Sequence, residues 1–327
     1  MSARIAITVG DPRGIGPEII VKALADSRVG ERSDLVIVGP DSCGIPVDES
    51  IGEWLPEGGA ALAGKLSGRA IDRAVELALH GEVQGIVTAP IDKSALLAGG
   101  YDYPGHTEML ADLTGSHVAM MLAAVRPSAG EGSNPLRVVL ATTHIPLRDV
   151  ADAVTAEAIV EVAGVTREYL QRWLGIDQPR IALCALNPHA GDNGRFGDED
   201  DLVLAPAAAR AGISGPFPAD TVFVRAIRGE FDAVIAPYHD VGMTAIKVAS
   251  FGDAVNVTLG LPFPRTSPDH GTALDIAGRG IANPSSFIEA LLLCQRIVLR
   301  ARQPADLPRS AGRQQVSPRA GPPSTSR

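Results

Sequence analysis

Short apolar runs of strand length recur along this chain, and segments with helical periodicity separate them. The runs are Arg4 to Val9, Leu35 to Val38, Val83 to Thr88, Val118 to Val125, Val138 to Thr142, Ile181 to Leu186, Ala233 to Ala236 and Ala254 to Leu259. Pro17 opens the first helical segment, at a position where its missing N–H costs nothing. Ile20, Ala23 and Leu24 then share one face. Ile71, Ala74, Val75, Ala78 and Leu79 follow the spacing of an amphipathic helix. A long helix is predicted over Thr155 to Leu174. The last is predicted from Ser286, with Glu289 three residues on as a capping box, to about Leu299. Continuous apolar strands separated by helices define a mostly parallel sheet covered on both faces, which is an α/β fold.

The chain has 327 residues, enough for one large domain or two smaller ones. With 45% hydrophobic and 20% charged residues it can bury a core without staples, so any metal serves chemistry rather than folding. Cys43, Cys184 and Cys294 are far apart, an odd count without metal-type spacing, and read as buried reduced thiols. A net charge of -9 with no cationic stripe excludes a nucleic-acid groove. It also means that an anionic substrate must be met by individually placed Lys and Arg residues. No apolar run reaches the ~18 residues of a membrane span, and Met1 to Val9 is too short for a signal peptide, so a cytoplasmic location is expected. Ser128 to Pro135 reads as a surface loop. From Gln303 the composition turns to Pro, Ser, Gly, Arg and Gln, and residues 303–327 are expected to form a disordered tail.

Three groups of residues carry possible chemistry. Five histidines, His106, His144, His189, His239 and His270, stand in loop contexts beside apolar runs. Loops after strand C-termini form the ligand crevice of α/β sheets, so His144, His189 and His239 are candidates to converge. Three neutral imidazoles suit a divalent transition metal with an open position; the alternative for each is a hydrogen-bonded loop histidine. His80 and His117 are read that second way. The turn Gly10-Asp11-Pro12-Arg13-Gly14-Ile15-Gly16-Pro17-Glu18 joins a strand to a helix N-terminus. It is either an anion site or a tight turn that needs glycine, and it lacks both the dinucleotide fingerprint and a P-loop. Lys247, Asn256 and Arg265 sit beside apolar segments, where cations are rarely unpaired. Their partner is a phosphate or a structural carboxylate.

Taken together, the segments resemble the 4-hydroxythreonine-4-phosphate dehydrogenase family from Ile5 to about Ala290. The matching stretches include the turn Gly10 to Glu18, Thr88-Ala89-Pro90-Ile91-Asp92-Lys93, Gly105-His106-Thr107-Glu108 and Thr142 to Asp149. They continue with Leu186 to Gly191, Pro218 to Thr221, Tyr238-His239-Asp240, Val255 to Phe263 and Arg265 to Ala273. The resemblance implies two α/β/α lobes around a cleft, like isocitrate and isopropylmalate dehydrogenases. Residues 1–118 with 276–302 would form one lobe and 119–275 the other. It implies a divalent metal (zinc, magnesium or cobalt) on His144, His189 and His239, shared between the subunits of a homodimer. It implies substrate contacts at His106, Thr107, Lys247, Asn256 and Arg265, and NAD or NADP bound without the usual fingerprint.

The implied reaction is oxidation of 4-phosphooxy-L-threonine to 2-amino-3-oxo-4-phosphooxybutanoate. That β-keto acid then loses CO2 to give 3-amino-2-oxopropyl phosphate, on the route to pyridoxal 5'-phosphate. Lys247 and Asp240 are the candidate general bases, and Asp240 is alternatively a partner that orients a metal-bound histidine. This chain differs from the family pattern in having Val241 where Gln is usual and Pro268 where Val is usual, and in a shorter region between Pro40 and Gly64. Alternatives are a sister dehydrogenase acting on a threonate or erythronate 4-phosphate, a metal-dependent hydrolase using the same histidines, and a metabolite-binding protein without catalysis.

Overall fold

The apolar runs do form strands, and each is buried on both faces. In the computed structural model, residues 4–125, 135–250 and 254–302 are described. The strands are β1 Ile5–Thr8, β2 Leu35–Asp41, β3 Glu49–Glu53, β4 Gly85–Thr88, β5 Ala119–Ala124 and β6 Arg137–Leu140. They continue as β7 Ile181–Cys184, β8 Ser214–Phe217, β9 Ala233–Ala236, β10 Ala254–Leu259 and β11 Arg265–Pro268. All eleven join one sheet in the order β3-β2-β1-β4-β11-β10-β5-β6-β9-β7-β8. The α/β class predicted from the alternation is the class observed. Except for Pro135, the predicted loop at Ser128 to Pro135 lies outside the described residues, as does the tail from 303.

The sheet has two parallel blocks. One is β3-β2-β1-β4-β11, and the other is β6-β9-β7-β8. Between them β10 runs antiparallel to β11 and to β5, and β5 runs antiparallel to β6, so the two blocks point in opposite directions. β11 falls in the first block, although the expected lobe division counted it with the second half. The two-residue period of a strand sends neighbours to opposite faces. Ile5, Ile7 and Ile37 enter one core, with Ile19 and Ile20 of the helix Gly16–Leu24 and Phe287 and Leu291 of the helix Ser285–Arg302. Ala6, Val36 and Val38 enter another, with Ile71, Ala74 and Val75 of the helix Gly59–Leu79.

The last helix begins at Ser285, one residue before the predicted cap. Ser286 bonds the Ala254 carbonyl instead of capping, and Glu289 pairs with Arg28. The three cysteines are free and buried. No helix among the described residues is long and apolar enough to cross a membrane.

The helix Gly59–Leu79 packs closely on the short helix Lys93–Ala98. A Cβ on Gly64 would stand 1.7 Å from the Ala95 carbonyl oxygen, which is backbone and has nowhere to go. Alanine ordinarily favours a helix by up to ~1 kcal/mol over glycine. Here Gly64→Ala forces the helices apart. The expected outcome is a net loss of about 2 kcal/mol, read as a Tm lower by several degrees. An unchanged or higher Tm would show that the two helices are not in backbone contact.

Candidate active site

Strand period also builds the floor of a polar cavity. Met120 and Leu122 of β5, Asn256 of β10, and Arg265 and Ser267 of β11 line it, while Met121, Ala123, Val255 and Val257 face the opposite core. The cavity holds about 360 Å³. Loops and helix starts from both blocks close its walls. Thr88 to Lys93 follow β4, His106 and Thr107 begin the helix His106–Thr114, and His144 follows β6. His239 begins the helix His239–Ser250, and Asp269 to Gly271 follow β11.

Arg265 is the dominant electrostatic feature. It is only 2% exposed, and its guanidinium donates to Thr258 Oγ1 at 2.9 Å and Thr88 Oγ1 at 2.5 Å. Among the described residues Nε has no partner, and Arg265 forms no ion pair with a carboxylate. Burial pulls its pKa down to about 9, which leaves the side chain charged at neutral pH. A buried cation without an anion is strongly unfavourable, and a ligand anion relieves it. Three further buried polar atoms lack partners on the same cavity: His106 Nε2, Asn256 Oδ1 and His270 Nε2. Together they describe a polar ligand with at least one anionic group.

His106 is half-buried with its Nε2 shut off from solvent, and desolvation holds its pKa well below the usual histidine value, with Arg265 and Lys93 adding to the effect. The unfolded chain takes up a proton near pH 6.5 that the folded chain refuses. The stability this histidine contributes is therefore complete above that pH and lost as pH falls below it. Stability measured by urea unfolding is expected to drop by up to ~1.4 kcal/mol per pH unit below pH 6.5 on account of this group. His106→Gln should flatten that slope. Identical slopes in both proteins would place His106 outside the buried cavity.

The histidines after β6 and β9 meet, as the strand-end argument proposed. The rings of His144 and His239 lie 5.4 Å apart, tilted by 46°. Asp240 Oδ1 is 2.7 Å from His239 Nδ1, which leaves Nε2 as the free nitrogen. Burial and the charges of Lys93 and His239 lower the pKa of His144, which favours the neutral imidazole that a metal needs. His189 is elsewhere. It lies in a left-handed turn after β7, at φ 55°, with its ring 6.4 Å from Phe196. Among the described residues, no cluster of three potential ligands exists within one chain.

Asn256, Arg265, His106 and Thr107 all line the cavity. Lys247 does not line it directly. It pairs with Asp269, which does. Asp240 is mostly exposed and serves His239. Pro268 lines the cavity, while Val241 belongs to a separate apolar groove. The Gly10 to Glu18 turn is the tight turn of the two readings. Asp11 accepts from Arg13 N and its guanidinium, and Ile15 N donates to the Thr272 carbonyl. Gly10 has φ 74° and no room for a Cβ.

Sequence reasoning missed Lys93, Thr88, Thr258, Met243 and Asp269. Lys93 and Thr88 belonged to a quoted segment, but spacing does not show which cations lack a carboxylate. Lys93 forms no ion pair among the described residues.

Comparison with known proteins shows the family. The family described as "Pyridoxal phosphate biosynthetic protein PdxA" matches residues 44–294, and the chain belongs to that family. A Burkholderia vietnamiensis protein named 4-hydroxythreonine-4-phosphate dehydrogenase is 42% identical, covering 88% of this chain and 94% of its own. The D-threonate 4-phosphate dehydrogenase of Salmonella typhimurium is also 42% identical, over 90% of this chain and 98% of its own. The crystal structure of a Klebsiella pneumoniae 4-hydroxythreonine-4-phosphate dehydrogenase superposes with a TM-score of 0.79 at 40% identity, covering 91% and 98% of the two chains.

Proposed function

We propose that this protein is an NAD(P)-dependent dehydrogenase that oxidises 4-phosphooxy-L-threonine at its secondary alcohol, in the formation of pyridoxal 5'-phosphate. The observation that carries the reading is Arg265, a buried guanidinium without a counter-ion, whose natural partner is the substrate phosphate. Thr88 and Thr258 fix its plane, so that the phosphate oxygens meet an oriented fork. His106, held neutral, offers Nε2 to a substrate hydroxyl or phosphate oxygen. Asn256 Oδ1 accepts from a substrate N–H or O–H. Lys93 adds a second positive charge to the wall.

His144 and His239 fit two positions of a divalent metal site, with Asp240 orienting the second ring. The third ligand is His189 of a second copy in a homodimer. Support for a second copy comes from the groove beside His239. It is lined by Phe223, Val224, Val241 and Val248, and Val248 is 71% exposed. When bound, the metal would supply a Lewis acid for the alcohol oxygen and the nicotinamide would supply a hydride acceptor. The Lys247–Asp269 pair at the wall is the group that takes up the alcohol proton. Asp240 acts only through His239. The β-keto acid left by oxidation loses CO2 because its carbonyl accepts the electron pair of the breaking bond.

The D-threonate relative is as similar as the first, so the amine at C2 is the discriminating group. The test is reduction of NAD and of NADP with 4-phosphooxy-L-threonine and with D-threonate 4-phosphate, before and after chelation. Turnover of the amino substrate, abolished by chelator and restored by metal, is the expected result. Preference for the threonate would move the protein to the sister activity. Ester cleavage without nicotinamide reduction would make it a hydrolase.

A further inference from the structure

A second cavity, of about 700 Å³, lies on the back of the central strands. Met121 and Ala123 of β5 face it, alternating with Met120 and Leu122 that floor the active site. Its size is that of a small-molecule pocket. Tyr169 and Trp173 form one wall, at the end of the helix Ala156–Arg172 and just beyond it. The helix Ser285–Arg302 forms another.

Two independent observations point to a ligand. First, the described lining residues include Arg137 and the exposed Arg296 and Arg300 and no acidic residue, in a chain of net charge -9. The Arg296 side chain has no hydrogen-bond or ion-pair partner among the described residues. Arg300 donates only to the Gly175 carbonyl among the described residues, whereas Arg137 donates to the Asp232 carbonyl and lies in the field of the Asp232 carboxylate. Second, Tyr169 is 3% exposed, yet its hydroxyl has no partner among the described residues. Burial raises the pKa of that hydroxyl, so it stays a donor. A buried donor without an acceptor is unfavourable, and a bound acceptor relieves it.

We infer that this cavity is a second binding site, distinct from the active site, for a small aromatic anion. Such a ligand has a flat ring to lie against Tyr169 and Trp173, and one carboxylate or sulfonate to meet the arginines. The ring is required because the rest of the wall is apolar, with Met121, Leu293 and Ile297 facing it. The anion is required because Arg296 and Arg300 border the cavity without a carboxylate partner among the described residues.

The probe is 8-anilinonaphthalene-1-sulfonate, added to the full-length native protein and followed by fluorescence and calorimetry. One saturable site per chain is expected, and saturating inorganic phosphate should leave it unaffected. Arg296→Glu with Arg300→Glu should weaken it at least tenfold, and Tyr169→Phe about threefold or more, since a hydrogen bond to a charged group is lost. The Tm of Tyr169→Phe should equal or exceed the parent value, because the hydroxyl is unpaired without ligand. Loss of the signal in Val248→Asp would place the probe in the exposed groove and overturn the inference. So would displacement by phosphate, equal affinity in the arginine and tyrosine variants, or no saturable binding.

Discussion

Arg265→Met abolishes turnover while leaving the empty fold as stable as before, or more stable. The two effects have opposite signs for one reason. In the free protein the guanidinium is buried beside two threonine hydroxyls and no carboxylate, so its charge is a burden on folding. An apolar side chain of similar volume removes the charge and keeps the packing. In the proposed complex, the same charge would hold the phosphate. Losing two charged hydrogen bonds should lower kcat/KM roughly 100- to 1000-fold or more. Arg265→Lys keeps the charge but not the fork, and should lose well over threefold. Inorganic phosphate offers a readout without catalysis. It should raise the Tm of the parent through preferential binding to the folded state and leave that of Arg265→Met unchanged. A destabilised methionine variant with normal kinetics would mean that Arg265 is structural and that the phosphate lies elsewhere.

The second large effect concerns the histidines. His239→Ala and His189→Ala, each alone, should bind little metal and lose activity by roughly 1000-fold or more. Co-expressed, they should recover activity. If His144 and His239 come from one subunit and His189 from its partner, a mixed dimer contains one site with all three ligands. Random mixing then restores about a quarter of the parent activity and metal content. If all three ligands belonged to one chain, no mixture would contain an intact site and nothing would be recovered. Full activity in either single variant would remove the metal assignment altogether.

The contrast between what was legible in the chain and what was not follows from polarity. Strands such as Ile181–Cys184 and Ala233–Ala236 are apolar throughout because helices cover both faces, and the sequence shows them plainly. β3 and β8 escaped prediction. They are the two edges of the sheet, where Glu, Ser, Gly and Pro replace the aliphatic run. β11 escaped for another reason. Arg265 and Ser267 are polar because they face a ligand cavity, although the strand is central. His106, His144, His239, Asn256 and Arg265 were identified from context and share one cavity. Which cation lacks a carboxylate depends on long-range packing. The pairing of Lys247 with Asp269, and the freedom of Lys93, emerge only from the fold. His189 stays apart because its turn after β7 directs it away from the other two rings.

The antiparallel pairing of β10 with β11 makes recognition a matter of odd and even. Asn256 sits opposite Ser267 and Thr258 opposite Arg265, all on the ligand side, while Val257 and Thr266 face inward. A slip of one residue would present Val257 and Thr266 to the substrate and drive an arginine into the hydrocarbon interior. The five residues from Gly260 to Pro264 that join these strands therefore guard substrate choice without touching the substrate. Their length has less freedom to drift than that of any surface connection.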